Sequence, residues 1–344
     1  MMPPLPLPRR TSVRARRSAA SWSSSAATGE QAPDVARAGR TPPAAGAISP
    51  PAQAGILTRV TATEVRDGEF VRQQSRFRGR PEGGPERYHL YVALACPWSQ
   101  RVVIARKVLG LEDRLGISYL DPYRDDRGWA FTGGGFTDQV NGFSFLKEAY
   151  DATVGDYAGR VTVPVLWDKE TGTITSNESA DLMRVFNDWA GGDLYPPDKR
   201  AEIDELNGWI YKDLQNGVYR AGFARSQQAY DAAYRGVFAA LPRLDERLAT
   251  RRYLTGDAIT EADWRLLPTL LRFDAVYHTH FRCNGARLID FPHLLRYTKD
   301  LYEQPGVAET FALDEIKRHY YTTHDELNPK RIIPAGPIDL GFTA

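Results

Sequence analysis

The feature that most constrains this chain is a cysteine–proline pair at the junction of a predicted strand and a predicted helix. Residues 88–94 alternate in the manner of a strand, and Cys96-Pro97 follows after one residue. Val102, Ala105 and Leu109 then recur at helical spacing. The sequence therefore predicts that the sulfur of Cys96 lies at the first turn of a helix.

This predicted position makes Cys96 a candidate nucleophile. Unpaired backbone N–H groups and the positive end of the helix dipole both favour a thiolate there, and Arg101 and Arg106 add positive charge. Position 99 is Ser, so the chain has no Cys-x-x-Cys pair at this place and needs an external thiol to resolve a disulfide on Cys96. A buried structural cysteine is the alternative, and it is our interpretation of Cys283.

The remaining hydrophobic patterns predict an α/β domain followed by an all-helical domain. In the first part, strands are predicted at 117–120, 161–167 and 173–175, a helix at 178–189 and an irregular insertion at 121–160. In the second part, helices are predicted at 203–214, 229–248, 261–276, 292–303 and 307–319. The resulting divisions are a tail at 1–67, an α/β domain at 68–190, a linker at 191–200, a helical domain at 201–330 and a C-terminal tail at 331–344.

The first 55 residues differ in composition from the rest. They are rich in Ala, Ser, Pro and Arg, with no acidic residue before Glu30. Such a segment cannot bury a core, so we expect a disordered tail, or a translation start set too far upstream. An organelle transit peptide has a similar composition. We therefore expect a cytoplasmic protein, with a chloroplast or mitochondrial location as the alternative.

The overall composition excludes several classes of partner. A net charge of +1 gives no reason to expect nucleic acid or a membrane, and no apolar run approaches the roughly 18 residues that span a bilayer. Two cysteines cannot form a disulfide framework, which favours a reducing compartment. Four histidines fall in the last part of the chain, but His278-x-His280 has no ligand-spaced acidic or Cys partner in the local sequence, so no metal is expected. These are His278, His280, His319 and His324.

Two further segments are candidates for binding a peptide-like ligand. Val163-Pro164 begins a predicted strand, where proline is tolerated at a sheet edge or in an unusual bond geometry. Asn177-Glu178-Ser179 precedes a predicted helix, so the amide of Ser179 is suited to a ligand carboxylate. The alternatives are an ordinary edge-strand proline and plain N-capping by Asn177 or Ser179. Thr260-Glu-Ala-Asp263 is a capping-box variant that we expect to be structural.

With these residues in place, the chain resembles the glutathionyl-hydroquinone reductases, the Xi class of the glutathione transferase superfamily. In the α/β part the matching segments are Arg87-Tyr-His-Leu-Tyr91, Ala95-Cys-Pro-Trp98, Gly128-Trp129, Arg160-Val-Thr-Val-Pro164 and Ser176-Asn-Glu-Ser179. In the helical part they are Asn216-Gly-Val-Tyr-Arg-Ala-Gly-Phe-Ala224, Arg272-Phe-Asp-Ala-Val-Tyr277 and Ile316-Lys-Arg-His-Tyr320. The resemblance implies a thioredoxin-like N-terminal domain that binds glutathione, an all-helical glutathione-transferase C-terminal domain, and a homodimer.

The implied reaction removes glutathione from glutathionyl-hydroquinones. Cys96 attacks the glutathione sulfur, releases the hydroquinone and holds glutathione as a mixed disulfide, which a second glutathione resolves to oxidised glutathione. Glutathione is thus a co-substrate, with no tightly bound cofactor. The resemblance assigns glutathione binding to Trp129, Arg160, Val163, Glu178 and Ser179. It assigns the quinol pocket to Tyr219, Tyr277 and Tyr320, and catalysis to Cys96, Tyr219 and Tyr320.

Three other functions remain open at this point. An omega-like thioltransferase or dehydroascorbate reductase would use the same Cys96, a conjugating transferase would use an activated Tyr or Ser, and a non-catalytic binding module would use none. The chain also departs from the family after Cys-Pro-Trp, where Ser99-Gln100 replaces the usual Ala-His or Ala-Asn. This change supplies no resolving thiol, so the mechanism with one cysteine stands.

Overall fold

A computed structural model of the chain describes residues 64–337 and 340. The predicted N-terminal tail lies outside the described residues up to position 63, as do 338–339 and 341–344 of the predicted C-terminal tail. Strands β1 (Val65–Arg66) and β2 (Glu69–Phe70) form a short antiparallel pair. Regular structure therefore starts slightly before position 68.

A four-stranded mixed sheet carries the first part of the fold. Its strands are β3 (Tyr88–Val92), β4 (Gly116–Tyr119), β5 (Val165–Asp168) and β6 (Thr173–Ser176), in the spatial order β4-β3-β5-β6. β3 and β4 run parallel, whereas β5 is antiparallel to both β3 and β6. Every residue of β3 is buried, because the sheet is covered on both faces.

Helices cover the two faces of this sheet. They are α1 (Pro97–Val108), α2 (Lys147–Val154) and α3 (Ser179–Ala190). The presence of α2 corrects the prediction of an irregular insertion from 121 to 160. The helix has only eight residues and buries just Ala149 and Tyr150, so it leaves no hydrophobic period in the sequence.

The second part of the fold is entirely helical. Its α-helices are α4 (Arg200–Ile210), α5 (Gly217–Gly222), α6 (Gln227–Ala249), α7 (Glu261–Arg272), α8 (Pro292–Tyr302) and α9 (Leu313–Thr323). π-helical turns follow α4 at Tyr211–Gln215 and α7 at Phe273–Tyr277. The predicted helix at 307–319 is wrong at its start, where Ala308–Thr310 forms a 3₁₀ turn before α9. The predicted order of an α/β domain and an all-α domain is confirmed.

One hydrophobic cluster joins the two parts. It includes Val102 and Ile104 of α1 together with Leu266 and Leu270 of α7, all of them buried. Burial on this scale is the main favourable contribution to folding, and here it fixes α1 against the helical part. The first turn of α1, where Cys96 lies, is consequently held at the junction. Among the described residues, no helix has the length and apolarity to cross a membrane.

Candidate active site

Cys96 occupies the N-cap position of α1, and Pro97 is the first helical residue. The Cys96 amide donates to the Ala93 carbonyl at 2.9 Å, and the Cys96 carbonyl accepts from the Gln100 amide at 3.0 Å. The thiol is partly exposed, and its Sγ donates to the Val163 carbonyl at 3.7 Å. The predicted helix-start setting is therefore present, in a residue that is partly exposed.

Cys283 has the opposite setting. It is fully buried, and its Sγ donates to the Phe281 carbonyl at 3.8 Å. Burial raises the pKa of the Cys283 thiol to about 12, which keeps it protonated at neutral pH. Cys96 and not Cys283 is thus in position to act as a thiolate nucleophile.

Val163-Pro164 lies opposite Cys96, immediately before β5. The peptide bond between these two residues is cis. Because β5 is an interior strand, between β3 and β6, the alternative of an ordinary edge-strand proline is wrong. The backbone of Val163 forms one wall of the site next to the Cys96 sulfur.

Two adjoining cavities surround this wall. The first has a volume of about 340 Å³ and lies on the polar side, where Ser75, Asn177, Glu178 and Ser179 are among its lining residues. The second has a volume of about 90 Å³ and contains Cys96. The residues that line both cavities are Arg72, Trp98, Arg160, Thr162 and Val163. A ligand in the first cavity can therefore extend a group past Val163 toward the sulfur.

The N-terminus of α3 forms the base of the first cavity. Its N-cap is Glu178, whose carboxylate accepts from the Ala180 amide at 3.1 Å and from Ser75 Oγ at 2.9 Å. This corrects the alternative of capping by Asn177 or Ser179. Asn177 instead donates to the Tyr150 hydroxyl at 3.0 Å and accepts from the Phe77 amide at 3.1 Å. Ser179, the first residue of α3, lines the cavity next to Glu178.

Arg160 lies where the two cavities meet, and it forms an ion pair with buried Glu64. One Nη1–Oε2 distance in this pair is 2.6 Å. No local sequence pattern indicated Glu64, because the two residues are separated by 96 positions. The residues that the resemblance assigns to glutathione binding line different cavities. Glu178 and Ser179 line the first cavity, Trp129 lines the second, and Arg160 and Val163 line both.

Tyrosines close the second cavity. Tyr219 and Tyr320 line it, and their hydroxyls are hydrogen-bonded to each other. Tyr277 does not line it; its hydroxyl lies 3.3 Å from that of Tyr320, behind the cavity wall. Burial raises the pKa of all three phenols, so each keeps its proton at neutral pH and can donate a hydrogen bond. Tyr277 accordingly supports Tyr320 from behind.

Arginines make both cavities electropositive. The Arg72 guanidinium lies 4.5 Å from the ring centroid of Tyr219, and Arg101 lies 4.2 Å from that of Trp98. Arg124, in the second cavity, lies 5.4 Å from the ring of Trp129. Burial lowers the pKa of Arg101 and Arg124 to about 9, so both remain cations at neutral pH. This field favours an anionic ligand.

Arg272 holds the turn before Cys96, and no local sequence pattern indicated this contact. This fully buried side chain of α7 donates to the Leu94 carbonyl at 2.7 Å and to the Ala95 carbonyl at 3.3 Å. It also hydrogen-bonds Gln100 Oε1. The helical part therefore holds the turn that carries Cys96. A contact across 177 positions has no local sequence pattern, although Arg272 begins one of the matching segments.

The unusual pair Ser99-Gln100 has a structural role. Ser99 is fully buried, and its Oγ accepts from the Ala93 amide at 3.4 Å. Gln100 is also buried; it accepts from Arg272 and donates to Thr310 Oγ1 at 3.4 Å. Both side chains thus brace the turn around Cys96, and neither lines the two cavities.

The four histidines do not form a metal centre in the part of the chain that is described, where no group of three or more ligand-type side chains comes together. His280 Nε2 and His324 Nδ1 lie 3.2 Å apart, and His319 and His324 line the second cavity. Burial lowers the pKa of His280 to about 4 and that of His319 to about 3. Both rings are therefore neutral at physiological pH.

Comparison with known proteins identifies the family. Residues 95–189 match the model of the glutathione S-transferase N-terminal domain, and residues 227–300 that of the C-terminal domain. The chain is 46% identical over 298 residues to the glutathionyl-hydroquinone reductase YqjG of Escherichia coli, covering 80% of this chain and 91% of that protein.

Similarity to solved structures indicates the same family. The glutathione S-transferase Xi of Phanerochaete chrysosporium superposes with a TM-score of 0.78 at 43% identity, over 84% of this chain and 98% of that one. The glutathione-bound structure of E. coli YqjG gives 0.73 at 45% identity, over 80% and 96%. The chain therefore belongs to the glutathionyl-hydroquinone reductases, the Xi class of the glutathione transferase superfamily.

Proposed function

We propose that this chain removes glutathione from glutathionyl-hydroquinones through a mixed disulfide on Cys96. In the first step the Cys96 thiolate attacks the glutathione sulfur. The ring carbon that bears the sulfur first takes up a proton while a conjugated ring hydroxyl loses one and becomes a carbonyl. The sulfur–sulfur bond then forms as the bond between sulfur and that carbon breaks, and the electron pair moves onto the carbonyl oxygen, which takes up a proton. The products are the free hydroquinone and a disulfide between Cys96 and glutathione, so the ring is reduced and the two sulfurs are oxidised.

In the second step a glutathione thiolate attacks the sulfur of the bound glutathione. Oxidised glutathione leaves and the Cys96 thiolate is restored. The nearest alternative resolving group would be a second cysteine, but Cys283 is buried and holds its proton. External glutathione is therefore the resolving thiol, and it is consumed as a co-substrate.

The first cavity is the proposed binding site of glutathione. Glu178 and Ser179 would hold the γ-glutamyl end, with the N-terminus of α3 facing its carboxylate. The backbone of Val163 would pair with the peptide portion, and Arg160 would attract a carboxylate. In this orientation the cysteinyl sulfur passes Val163, whose carbonyl lies 3.7 Å from Cys96 Sγ. Trp129 lines only the second cavity, so its contact would be with the sulfur end or the ring.

The second cavity is the proposed binding site of the hydroquinone ring. Aromatic side chains suit a flat ring, and the Tyr219 and Tyr320 hydroxyls suit its oxygen. As the ring departs, negative charge develops on that oxygen. Hydroxyls that keep their protons stabilise this charge by hydrogen bonding, and can pass a proton to the product.

The observation that carries this proposal is the position of Cys96 at the junction of a polar cavity and an aromatic one. A sulfur in the polar cavity alone would suit general thiol exchange. Here the thiol faces Val163, which lines both cavities, and itself lines the aromatic one with two protonated tyrosines. The site thus accommodates glutathione on one side and the ring to which it is bonded on the other.

Steady-state kinetics with two substrates test the proposal. We expect wild type to release hydroquinone from a glutathionyl-hydroquinone with formation of oxidised glutathione, and Cys96→Ser to lose more than about a thousandfold in kcat. Cys283→Ser is the matched control and should keep activity. Faster reduction of a small glutathione mixed disulfide than of the glutathionyl-hydroquinone would favour an omega-like thioltransferase. Full activity in Cys96→Ser would favour a conjugating transferase.

We further propose that the protein is a homodimer in the cytoplasm. The dimer follows from the family resemblance. The location agrees with the proposed cycle, because a free thiolate and a supply of reduced glutathione both require a reducing compartment. Light scattering of the full chain should give twice the mass of one chain, and a monomer mass would contradict the dimer. Fractionation of cells should recover the full chain with cytoplasmic markers; recovery in an organelle would contradict the location.

A further inference from the structure

His319 is a buried group in the second cavity to which the proposed cycle gives no role. Its ring is 6% exposed and lines the cavity together with Cys96, Tyr219 and Tyr320. One face stacks on Trp129, with ring centroids 4.9 Å apart and an angle of 16° between the planes. The ring is thus held in one orientation beside the proposed position of the hydroquinone.

The hydrogen bond on one edge of the His319 ring fixes its tautomer. Nδ1 lies 2.7 Å from the carbonyl oxygen of Pro122. A backbone carbonyl can only accept, so Nδ1 must carry the proton and donate. The ring is neutral, because burial lowers its pKa to about 3, so it has just this one N–H. Nε2 is therefore an obligate hydrogen-bond acceptor.

The ring edge that carries Nε2 is available to a ligand. Across the described part of the chain, Nε2 of His319 makes no hydrogen bond, whereas Nδ1 faces Pro122 and lies 3.4 Å from Thr323 Oγ1. The loop that supplies Pro122 is itself fixed to α9, since the Arg124 amide donates to Thr323 Oγ1 at 3.4 Å. Loop and helix together hold the acceptor in place.

Three of the polar groups that line the cavity beside His319 can only donate hydrogen bonds, whereas Thr162 and His324 also line it. Arg72, Arg124 and Arg160 can only donate, and of the paired hydroxyls of Tyr219 and Tyr320 one must donate to the other. Donors bind a quinone carbonyl, a phenolate or a phenol oxygen without distinguishing them. Only an acceptor recognises the O–H of a hydroquinone, because a quinone or an ether offers no hydrogen to it.

We propose that Nε2 of His319 accepts a hydrogen bond from a ring hydroxyl and makes the second cavity selective for the reduced, hydroxyl-bearing ring. This inference rests on the proposed function and names the group that determines its substrate class. His319 acts by positioning the ring and takes no part in the sulfur exchange. A glutathionyl ring whose corresponding hydroxyl is missing leaves this buried acceptor unpaired and loses affinity.

Two variants distinguish the acceptor at Nε2 from the hydrogen bond that Nδ1 donates to the Pro122 carbonyl. His319→Asn keeps a side-chain N–H near Nδ1, able to donate to the Pro122 carbonyl, but places no atom at Nε2. His319→Gln reaches the Nε2 position with an oxygen acceptor. His280→Asn is the matched control, because His280 is a buried histidine of the same cluster that does not line the cavity.

The experiment compares a glutathionyl-hydroquinone with its two deoxy analogues, each lacking one ring hydroxyl. For one of the two analogues, we expect wild type, His319→Gln and His280→Asn to lose about tenfold more kcat/KM than His319→Asn loses. The intrinsic reactivity of each analogue cancels in this comparison between variants. An equal loss in wild type and His319→Asn for both analogues would overturn the inference.

Two further measurements keep this test independent of folding and of the proposed function. Rates with a small glutathione mixed disulfide, which carries no ring, report the Cys96 chemistry alone; if wild type reduces it but not the glutathionyl-hydroquinone, the proposed function has failed before the His319 comparison begins, and the inference fails with it. Nitrogen NMR of the histidine rings gives a direct readout. Added hydroquinone should shift the His319 Nε2 resonance upfield and leave Nδ1 in place, and an unshifted Nε2 at saturation would contradict the inference.

Discussion

At the scale of single residues, the tyrosines of the second cavity act as hydroxyl donors. Tyr219 and Tyr320 are nearly or fully buried and hydrogen-bonded to each other, with Tyr277 behind them. Burial disfavours the phenolate and raises the pKa of each hydroxyl, so each keeps its proton at neutral pH. We therefore expect these hydroxyls to stabilise the ring oxygen on which negative charge develops in the proposed reaction.

Removal of the Tyr320 hydroxyl tests this role. We expect Tyr320→Phe to lower kcat for a glutathionyl-hydroquinone by about 10²-fold, since one hydrogen-bond donor to a developing oxyanion contributes an effect of that order. Reduction of a small glutathione mixed disulfide should change far less, because no ring leaves the glutathione sulfur in that reaction. Tyr277→Phe is the matched control, as it removes a hydroxyl from the same cluster that does not line the cavity. Equal losses in the two variants would contradict the assignment.

The direction of the pKa shifts gives a prediction for pH dependence. The pKa of Tyr219 is raised, and those of Tyr277 and Tyr320 are raised well above the ordinary value, in each case mainly by burial. A raised phenol pKa means that the proton is lost only at higher pH. Between pH 7 and 9, kcat for the glutathionyl-hydroquinone should therefore show no fall from tyrosine ionisation. A descending limb in that range that disappears in Tyr320→Phe would contradict this prediction.

At the scale of elements, the site depends on a contact between α7 and the turn before α1. Arg272 donates to the carbonyls of Leu94 and Ala95, and both belong to the segment that places Cys96. The Ala95 carbonyl is buried and the Leu94 carbonyl is partly buried, and their partner comes from a different part of the fold. The position of the thiol is therefore set by the helical domain as well as by the sheet.

The variant Arg272→Met tests this arrangement. It leaves the carbonyls of the turn without their donor, so we expect a loss of about 3 kcal/mol in the free energy of unfolding and a lower kcat with every substrate of Cys96. Asp263→Ala is the matched control, because Asp263 is equally buried and hydrogen-bonds the Thr260 amide at 2.8 Å and the Tyr297 hydroxyl at 2.9 Å. It should destabilise to a similar degree, measured by urea unfolding, without changing kcat of the folded fraction. Loss of kcat in both variants alike would refute a specific role for Arg272.

Local patterns predicted the elements that have strong local causes. The strand before Cys96 and the helix after it were predicted because alternation and helical spacing meet at Pro97, which starts α1. The helix α2 was missed because it buries only two side chains. The 3₁₀ turn at Ala308–Thr310 was merged with α9 because apolar residues continue through both. Elements that depend on tertiary contacts therefore leave no hydrophobic period in the sequence from which they could be predicted.

At the scale of the whole molecule, the two parts share a hydrophobic cluster, and the cavities lie where they meet. The sheet part supplies Cys96, Val163 and Glu178, and the helical part supplies Tyr219 and Tyr320. Neither part alone supplies both the proposed glutathione site and the proposed ring site. We therefore expect the proposed reaction to require both parts.

The residues of the candidate site that belong to local sequence motifs could be predicted from the sequence. Cys96, Glu178 and Ser179 lie at helix starts, which have local signatures, whereas the tyrosines were found only through the family resemblance. Glu64 and Arg272 were missed, since each acts on a partner far away in the chain. Ion pairs and hydrogen bonds across domains follow from the fold, and a single sequence does not display them.

Mass spectrometry of the intact protein tests the central claim most directly. Wild type and Cys96→Ser are each mixed with a glutathionyl-hydroquinone, and the protein mass and the released hydroquinone are recorded together. We predict one glutathione on wild type, located at Cys96, with one equivalent of hydroquinone released and the adduct cleared by added glutathione. Cys96→Ser should carry none. Release of hydroquinone by Cys96→Ser as fast as by wild type, without an adduct on either, would contradict the mechanism proposed for this chain.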